Sequence, residues 1–185
     1  LEKKLHKLIT TELSDLVKLS ESKFENNYVR ALCYQLFENN GVIKRENING
    51  MIKNLTREDR LNLRKAGIKI GRYHIFLPRM LKPAAVNLRV KLWKLYYEED
   101  KKYAIPKFGL NFLKNEIKKN NNFLLICGFE NFSKFFVRVD ILERLFLKIM
   151  ENTKDGVFNI NSDMINLIGC SKENFYKLLK LMNYQ

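Results

Sequence analysis

The residues of this chain with the clearest chemical potential are its cations, which are unevenly spaced. Of 34 Lys and Arg residues, 11 lie between Arg57 and Lys94, where there are 2 acids, so this segment carries +9 of the chain's +14. Cations at such density bind phosphate oxygens whatever the base sequence. The charge therefore favours a polyanionic partner, and nucleic acid before a membrane surface. The alternative is a charged surface that only keeps the protein in solution.

Nine residues are candidate contacts to nucleic acid. Seven surround a predicted hairpin and the helix after it, and two lie on the last predicted helix. They are Arg72, His74, Arg79, Lys82, Arg89, Lys91, Lys94, Lys172 and Lys177. Pro83 marks a helix start nearby, where free N–H groups also attract phosphate. Tyr73, Phe76 and Trp93 could stack on bases, although their spacing fits a core equally well. His74 alternates with apolar residues, which favours a half-exposed structural role over phosphate contact.

Other chemistries have little support in the sequence. It contains no GxxxxGK[ST] phosphate loop and no GxGxxG motif after a strand. His6 and His74 are far apart, so a zinc site would need an unusual ligand set. Cys33, Cys127 and Cys170 form no CxxC pair, which predicts reduced thiols in a cytoplasmic protein, with the latter two buried and inert. No acid, base and nucleophile form a defensible set, so we expect neither catalysis nor a cofactor in this chain.

The basic segment is positioned mainly by predicted helices. Thr56 and Asp59 form a capping-box pattern, and Gly67 suits the left-handed position after a helix. Alternating apolar residues on both sides of Gly71-Arg72 predict a strand–turn–strand unit. Pro83 can open the amphipathic helix that follows. Helical spacing and these signals predict helices over 2–19, 23–39, 45–55, 57–65 and 83–99.

The stretch 100–107 reads as a boundary between domains 1–102 and 103–185. Beyond it we predict a hairpin of 129–132 with 135–138, and a strand over 157–160. Asp140 is the predicted N-cap of the helix over 141–152. The predicted helices cover 108–119, 123–127, 141–152, 163–168 and 172–183.

The predicted fold is mainly α (α+β): a helical bundle with a small β-hairpin, then a winged-helix-like three-helix unit with short strands. The end of the chain reads helix, strand, helix, Gly turn, helix, which resembles the winged-helix plan. Many three-helix domains use such a Gly turn for packing alone. No run of 18 apolar residues occurs, so no membrane-spanning helix is expected.

Four segments together resemble a known family. They are ALCYQLFENNGVIKRE, REDRLNLRKAGIKIGRYHIFLPRMLKPAAVNLRVKLW, VRVDILERL and INLIGCSKENFYKLLKLMNY. In this order they look like the C-terminal region of bacterial superfamily 2 helicases related to the mitochondrial RNA-degradosome helicase. The most specific feature is the Gly-x-x-x-Gly spacing that leads into His-Ile-Phe-Leu-Pro and Leu-Lys-Pro. The Lys/Asn-rich stretch 100–122 departs from the Pro-rich, variable segment expected there.

The resemblance implies an accessory region of an ATP-dependent RNA or DNA helicase. ATP and Mg²⁺ would bind two ATPase lobes upstream in the same polypeptide. The accessory region would hold single-stranded nucleic acid, or separate the duplex, beside those lobes in the cytoplasm. Two alternatives stay open. One is a module that docks the helicase to a nuclease or other protein, suggested by the 22 aromatic residues. The other is a structural brace on the ATPase lobes.

Overall fold

The computed structural model describes residues 2–22, 24–97, 103–114 and 121–184. Within these ranges the fold is mainly α, with ten α-helices and small antiparallel sheets, which confirms the predicted fold class. The chain divides into two compact units, Leu1–Lys102 and Tyr103–Gln185. Each unit has its own three-stranded sheet and its own buried residues.

The first unit contains six α-helices, two short 3-10 helices and one sheet in its described residues. The 3-10 helices are Arg45–Ile48 and Pro78–Leu81. The strands are β1 (Val42–Lys44), β2 (Lys69–Ile70) and β3 (His74–Phe76), in the antiparallel order β1-β3-β2. The α-helices are α1 (Glu2–Glu12), α2 (Ser14–Glu21), α3 (Asn27–Glu38), α4 (Asn49–Lys53), α5 (Arg57–Lys65) and α6 (Pro83–Tyr96).

The single helix predicted over 2–19 is wrong, because the chain bends at Leu13. Leu13 has φ −107° and ψ 22°, outside helical geometry, and its side chain is buried. The bend lets α2 place Leu16 and Leu19 in the core, whereas α1 buries no residue completely. The helix predicted over 23–39 starts later than expected, after Asn26, whose Oδ1 accepts from the Tyr28 N–H at 2.8 Å.

Strand β1 was not predicted. The sheet places Ile43, Ile75 and Ile70 side by side on one face, and these residues join the main buried cluster with apolar side chains from α2, α3, α4 and α5. Gly41 precedes β1 with φ +85°, and a Cβ there would lie 2.9 Å from Met80 Cγ. Only glycine permits both the positive φ and this close approach. The turn therefore brings β1 directly against the segment that precedes α6.

The predicted starts of α5 and α6 are confirmed. Thr56 Oγ1 accepts from the Asp59 N–H at 3.1 Å, and Asp59 Oδ2 accepts from the Thr56 N–H at 2.9 Å, so both arms of the capping box are present. Gly67 has φ +85° after α5, as expected of its left-handed position. Pro83 occupies the first turn of α6. Local signals thus place the two helices that border the predicted hairpin.

The second unit combines a three-stranded sheet, a hairpin and four helices in its described residues. The sheet has the antiparallel order β4-β6-β5. Its strands are β4 (Phe112–Lys114), β5 (Phe129–Phe132) and β6 (Phe135–Arg138), and the separate hairpin is β7 (Thr153–Lys154) with β8 (Val157–Phe158). The helices are α7 (Asn121–Ile126), α8 (Val139–Glu151), α9 (Ser162–Ile168) and α10 (Lys172–Leu181).

Two predictions in the second unit are wrong. The helix predicted over 108–119 is absent from 108–114, because Phe112–Lys114 pairs with β6 as a strand; positions 115–120 lie outside the described residues. Asp140 does not cap α8, which begins at Val139. Instead the Asp140 carboxylate accepts from Arg138 Nε at 3.0 Å and from Arg138 Nη2 at 2.7 Å, so it is held in an ion pair inside the first turn.

The end of the chain has the predicted order of helix, strand, helix, Gly turn and helix, except that the hairpin of β7 and β8 takes the place of the single predicted strand. Asp155 and Gly156 have φ +50° and +79°, as a two-residue hairpin turn requires, although β8 ends earlier than the predicted 157–160. Asn161 caps α9 and Ser171 caps α10 through their side-chain oxygens. Between the two helices Gly169 has φ +75°. Helices α9 and α10 therefore form a helix–turn–helix pair.

Candidate nucleic-acid interface

Two of the nine candidate contacts are buried, and their assignment to a phosphate-binding surface is wrong. His74 is 1% exposed and Arg89 is 2% exposed. His74 belongs to β3, the central strand of its sheet, whose three residues are all buried. A side chain that is closed off from solvent cannot reach a phosphate of a bound strand. The predicted half-exposed role of His74 is wrong for the same reason.

Arg89 has a structural role instead. Its Nη1 donates to the Asn40 carbonyl at 2.6 Å, and its Nη2 donates to the Met80 carbonyl at 2.5 Å. Asn40 lies in the turn before β1, and Met80 lies in the 3-10 helix before α6. Buried carbonyl groups need hydrogen-bond donors, and a guanidinium group offers several in a fixed geometry. Arg89 therefore fixes α6 against two loops of the first unit.

The remaining cations of the hairpin region differ in their exposure and in their ion-pair partners. Arg79 Nη1 lies 3.2 Å from Asp15 Oδ1, so an acid from α2 already partly neutralises it. Its side chain is still 57% exposed. Arg72 and Lys82 are exposed, Arg72 in the turn between β2 and β3 and Lys82 just before α6. The ammonium group of Lys82 makes no hydrogen bond or ion pair among the described residues.

Helix α6 carries cations along its outer face. Lys91 is exposed and Lys94 is half-buried; three residues apart on a helix, they are neighbours. Neither makes an ion pair with another described residue. The opposite face of α6 buries Ala85 and Val86. Because that face and Arg89 hold the helix, the two ammonium groups project from a fixed support.

An aromatic cluster lies at the C-terminal end of α6, next to Lys94. The rings of Trp93 and Tyr97 lie 5.2 Å apart, and Tyr96 meets Tyr97 edge-to-face at 4.9 Å. Tyr96 is 80% exposed and Tyr97 is 57% exposed. Tyr97 follows Lys94 by three residues, so the ring and the ammonium group are neighbours. We call Lys91, Trp93, Lys94, Tyr96 and Tyr97 the α6 platform.

The α6 platform has the components of a single-strand binding surface. Exposed aromatic rings can stack on bases, and flanking cations contact the backbone. Lys acts as a point charge and requires no particular base. Of the three aromatic residues considered from the sequence, Phe76 is buried, Tyr73 is half-buried and Trp93 belongs to the platform. Tyr96 and Tyr97 were missed, although the four-residue spacing of Trp93 and Tyr97 beside Lys94 was a readable signal.

In the second unit, the candidates lie on the outer face of α10. Lys172 is exposed, and Lys177 Nζ lies 2.5 Å from Glu173 Oε1. This hydrogen bond, the charge of Lys177 and the charge of Lys114 lower the pKa of Glu173. Tyr176 and Lys180 share the exposed face, and neither was predicted. Lys177 is thus paired, whereas the Lys180 side chain has no partner among the described residues.

Burial determines the protonation of the cysteine thiols, and the spacing of side chains determines whether a metal ion can bind. Burial raises the pKa of Cys33 to about 12 and that of Cys170 to about 11, so both are protonated thiols at neutral pH. Cys127 is 6% exposed. Among the described residues, no three His, Cys, Asp or Glu side chains are grouped closely enough to hold a metal ion. No helix there is both long enough and apolar enough to cross a bilayer.

A groove between α2 and α3 is a further surface feature that the sequence did not indicate. It encloses about 210 Å³, with Leu19 and Cys33 at its base. Tyr34, 61% exposed, and Phe37, 42% exposed, line it together with Arg30. These three occupy positions i, i+4 and i+7 of α3, so they share one side of the helix. Tyr, Phe and Arg are enriched at protein–protein interfaces.

No protein-family model, curated protein or solved structure matches this chain. The helicase resemblance therefore stays a prediction.

Proposed function

We propose that this chain is a nucleic-acid-binding accessory region that holds a single strand by its backbone and by base stacking. The observation that carries the proposal is the α6 platform: Tyr96 and Tyr97 are exposed, Tyr97 packs against both Trp93 and Tyr96, and Lys91 and Lys94 lie on the same helix within the two preceding turns. Exposed aromatic rings are costly to keep in water unless a partner covers them. A partner with alternating flat bases and phosphates satisfies both halves of this surface.

Binding of a single strand to the α6 platform would be independent of its base sequence. Every base offers a face for stacking, and each stacked base contributes about 1–3 kcal/mol in alanine-substitution experiments. The lysines add a salt-dependent term through release of counterions from the phosphates. Base stacking on Tyr96 requires an unpaired base, which favours a single strand over a duplex. Such a surface stabilises the separated strand that a translocating motor produces.

The helicase part of the proposal comes from the resemblance of the four sequence segments, of which residues 57–93 contain the most specific one. In that setting ATP and Mg²⁺ belong to two ATPase lobes upstream in the same cytoplasmic polypeptide, and this region contributes no step of ATP hydrolysis. Its role would be to hold the strand, so that each ATP-driven movement of the lobes displaces the strand relative to a fixed point. The rigid mounting of α6 by Arg89 suits this role.

The test is binding of the full chain to a fluorescent single-stranded oligonucleotide, followed by anisotropy over a range of salt concentrations. We expect Tyr96→Ala to weaken binding by roughly 5-fold to 150-fold, the equivalent of about 1–3 kcal/mol. Lys91→Gln with Lys94→Gln should lower the slope of log affinity against log salt by about 1.4, which is roughly 0.7 for each of two phosphates. Absence of any salt-dependent binding by the wild type would exclude the proposal.

The groove between α2 and α3 favours a second candidate, docking to another protein. Tyrosine and arginine, the residue types of Tyr34 and Arg30, are among those that contribute most to interface energies. A pull-down with the full chain, after nuclease digestion, separates the two candidates. Loss of a captured protein on Tyr34→Ala, with oligonucleotide affinity unchanged, would assign the groove to docking. Capture that also requires Tyr96 would instead link both functions to α6.

A further inference from the structure

Helix α5 turns an arginine-rich face toward solvent. Arg57, Arg60 and Arg64 occupy positions i, i+3 and i+7, so they lie along one side of the helix, and all three are exposed. The only buried residue of α5 is Leu63. It lies about a quarter of a turn away from the middle of the arginine side. The contact that holds α5 to the core therefore leaves the guanidinium groups outward. We call the three arginines the α5 arginine face.

The choice of arginine is unusual for this chain. Lysine outnumbers arginine by 24 to 10 in the whole sequence, yet three of the four cations on α5 are arginine. Both side chains would serve solubility equally. A guanidinium group differs in offering a planar fork of donors that matches two oxygens of one phosphate, which an ammonium group cannot do. The composition of α5 thus indicates recognition of phosphate rather than a general need for positive charge.

The arginine face is fixed in place and is not neutralised. The capping box fixes the start of α5, and Arg60 Nη2 donates to the Ile52 carbonyl at 2.7 Å. Asp59, in the first turn, is directed into the cap and also accepts from Asn26 Nδ2 at 2.8 Å. Neither Arg57 nor Arg64 makes an ion pair with any described residue. Glu58 is exposed on the flank.

We propose that the α5 arginine face binds the sugar-phosphate backbone of a nucleic acid, as a contact separate from the α6 platform. It rests on the proposed function, because it takes the same class of ligand. Arg57 and Arg64 are separated by a rise of about 10.5 Å along the helix, close to three nucleotides of a helical strand at about 3.4 Å each. Each of the three guanidinium groups can contact two phosphate oxygens, and phosphate contacts carry no base-sequence information.

An anionic membrane is a less suitable ligand for this face. A helix that lies on a bilayer inserts a continuous apolar side beneath its cations. On α5 the exposed apolar residue among the arginines is Leu61, 49% exposed, with no second apolar residue next to it. One leucine buries too little surface to hold the helix in a membrane. Binding to the sugar-phosphate backbone of a nucleic acid requires only the guanidinium donors, without an apolar side.

The test uses the full chain with Arg57→Gln and Arg64→Gln together, since neither side chain makes a hydrogen bond within the described residues. We expect the slope of log affinity for an oligonucleotide against log salt to fall by about 1.4. The matched variant, Arg57→Lys with Arg64→Lys, keeps the charge; we expect it to keep the slope and to bind more weakly than the wild type. Circular dichroism of each variant checks that α5 remains folded.

The outcomes separate this inference from the proposed function. The inference would be overturned if Arg57→Gln with Arg64→Gln bound the oligonucleotide as tightly as the wild type does, while Lys91→Gln with Lys94→Gln abolished binding. That result would leave the α6 platform in place. Equal binding by the lysine pair and the wild type would overturn the role of the guanidinium fork. A loss of affinity confined to vesicles of anionic lipid, with oligonucleotide binding unchanged, would assign the face to a membrane. No binding by the wild type would remove both proposals.

Discussion

Arg89 places a guanidinium group in the interior, where the carbonyls of Asn40 and Met80 accept its hydrogen bonds. A buried charge is costly unless polar partners surround it. Here the partners are backbone carbonyls in two loops, which would themselves need donors if the arginine were absent. The same side chain that looked like a phosphate ligand in the sequence therefore supports the helix on which the α6 platform is built.

We expect Arg89→Met to destabilise the first unit. Methionine has a similar length but no donor, so the buried Met80 carbonyl and the partly buried Asn40 carbonyl lose this partner, at a cost of about 1–3 kcal/mol each. Relief of the buried charge offsets part of this, and we expect the free energy of unfolding to fall by about 2–4 kcal/mol. Urea unfolding followed by fluorescence of Trp93, the single tryptophan, reports this unit directly.

Lys91→Met is the matched control, because Lys91 is exposed on the same helix. Its effect should stay within about 0.5 kcal/mol, as for most surface changes. If both substitutions changed stability equally, the support that we assign to Arg89 would be wrong. A loss of oligonucleotide affinity by folded Arg89→Met, without a loss of stability, would return Arg89 to the binding surface.

A signal for the burial of Arg89 was present in the sequence. Arg89 follows Ala85 by four residues and precedes Leu92 by three, so helical periodicity places it on the apolar side of α6. The cationic side chain of Arg89 suggested a phosphate contact, but its position on the helix predicts burial. His74 offered no equivalent signal, because strand alternation says which residues share a face but not whether both faces are covered. That depends on packing from distant parts of the chain.

At the scale of elements, the predictions that succeeded rest on local chemistry. The capping box of α5 and the hairpin of β5 and β6 depend on residues close together in sequence, and both were predicted. Strands β1 and β4 were missed because each has three residues and pairs with a strand more than twenty residues away. Three residues are too few to show a period of two, so their conformation is decided by the partner strand.

The capping box gives a pH-dependent prediction. Hydrogen bonds from the backbone N–H and the hydroxyl of Thr56, and a smaller one from Asn26, lower the pKa of Asp59 below its ordinary 3.8. A carboxyl whose pKa is lowered by folding stabilises the folded state above its ordinary pKa. This stabilisation is lost as the pH falls through the folded value. We therefore expect the stability difference between wild type and Asp59→Asn to be present at pH 7 and to shrink below about pH 4.

The measurement is the free energy of unfolding in urea at both pH values, with Glu58→Gln as control. Glu58 is exposed in the same turn, and its side chain makes no hydrogen bond or ion pair with a described residue. Its removal should leave the pH dependence unchanged. A difference for Asp59→Asn that is constant with pH would mean that the carboxylate charge has no part in the cap. The start of α5, and with it the orientation of the arginine face, would then depend on Thr56 alone.

At the scale of the whole molecule, the positive charge is divided unequally. Residues 1–102 contain 22 Lys and Arg against 12 acids, a net +10, and residues 103–185 contain 12 against 8, a net +4. A chain of net +14 attracts any polyanion to some extent. Binding to an oligonucleotide alone would therefore not show that a particular surface is used. The informative comparison keeps the net charge equal and changes its location.

Two double variants make this comparison. Lys91→Gln with Lys94→Gln, and Lys18→Gln with Lys134→Gln, each remove two charges; the side chains of Lys18 and Lys134 are exposed and have no partner among the described residues. If net charge alone attracts nucleic acid, both variants lose the same affinity. If the strand lies on the α6 platform, only the first should lower the salt slope by about 1.4, because counterions are released only where phosphates are contacted. Equal losses would reduce the proposal to a general attraction between a basic protein and a polyanion.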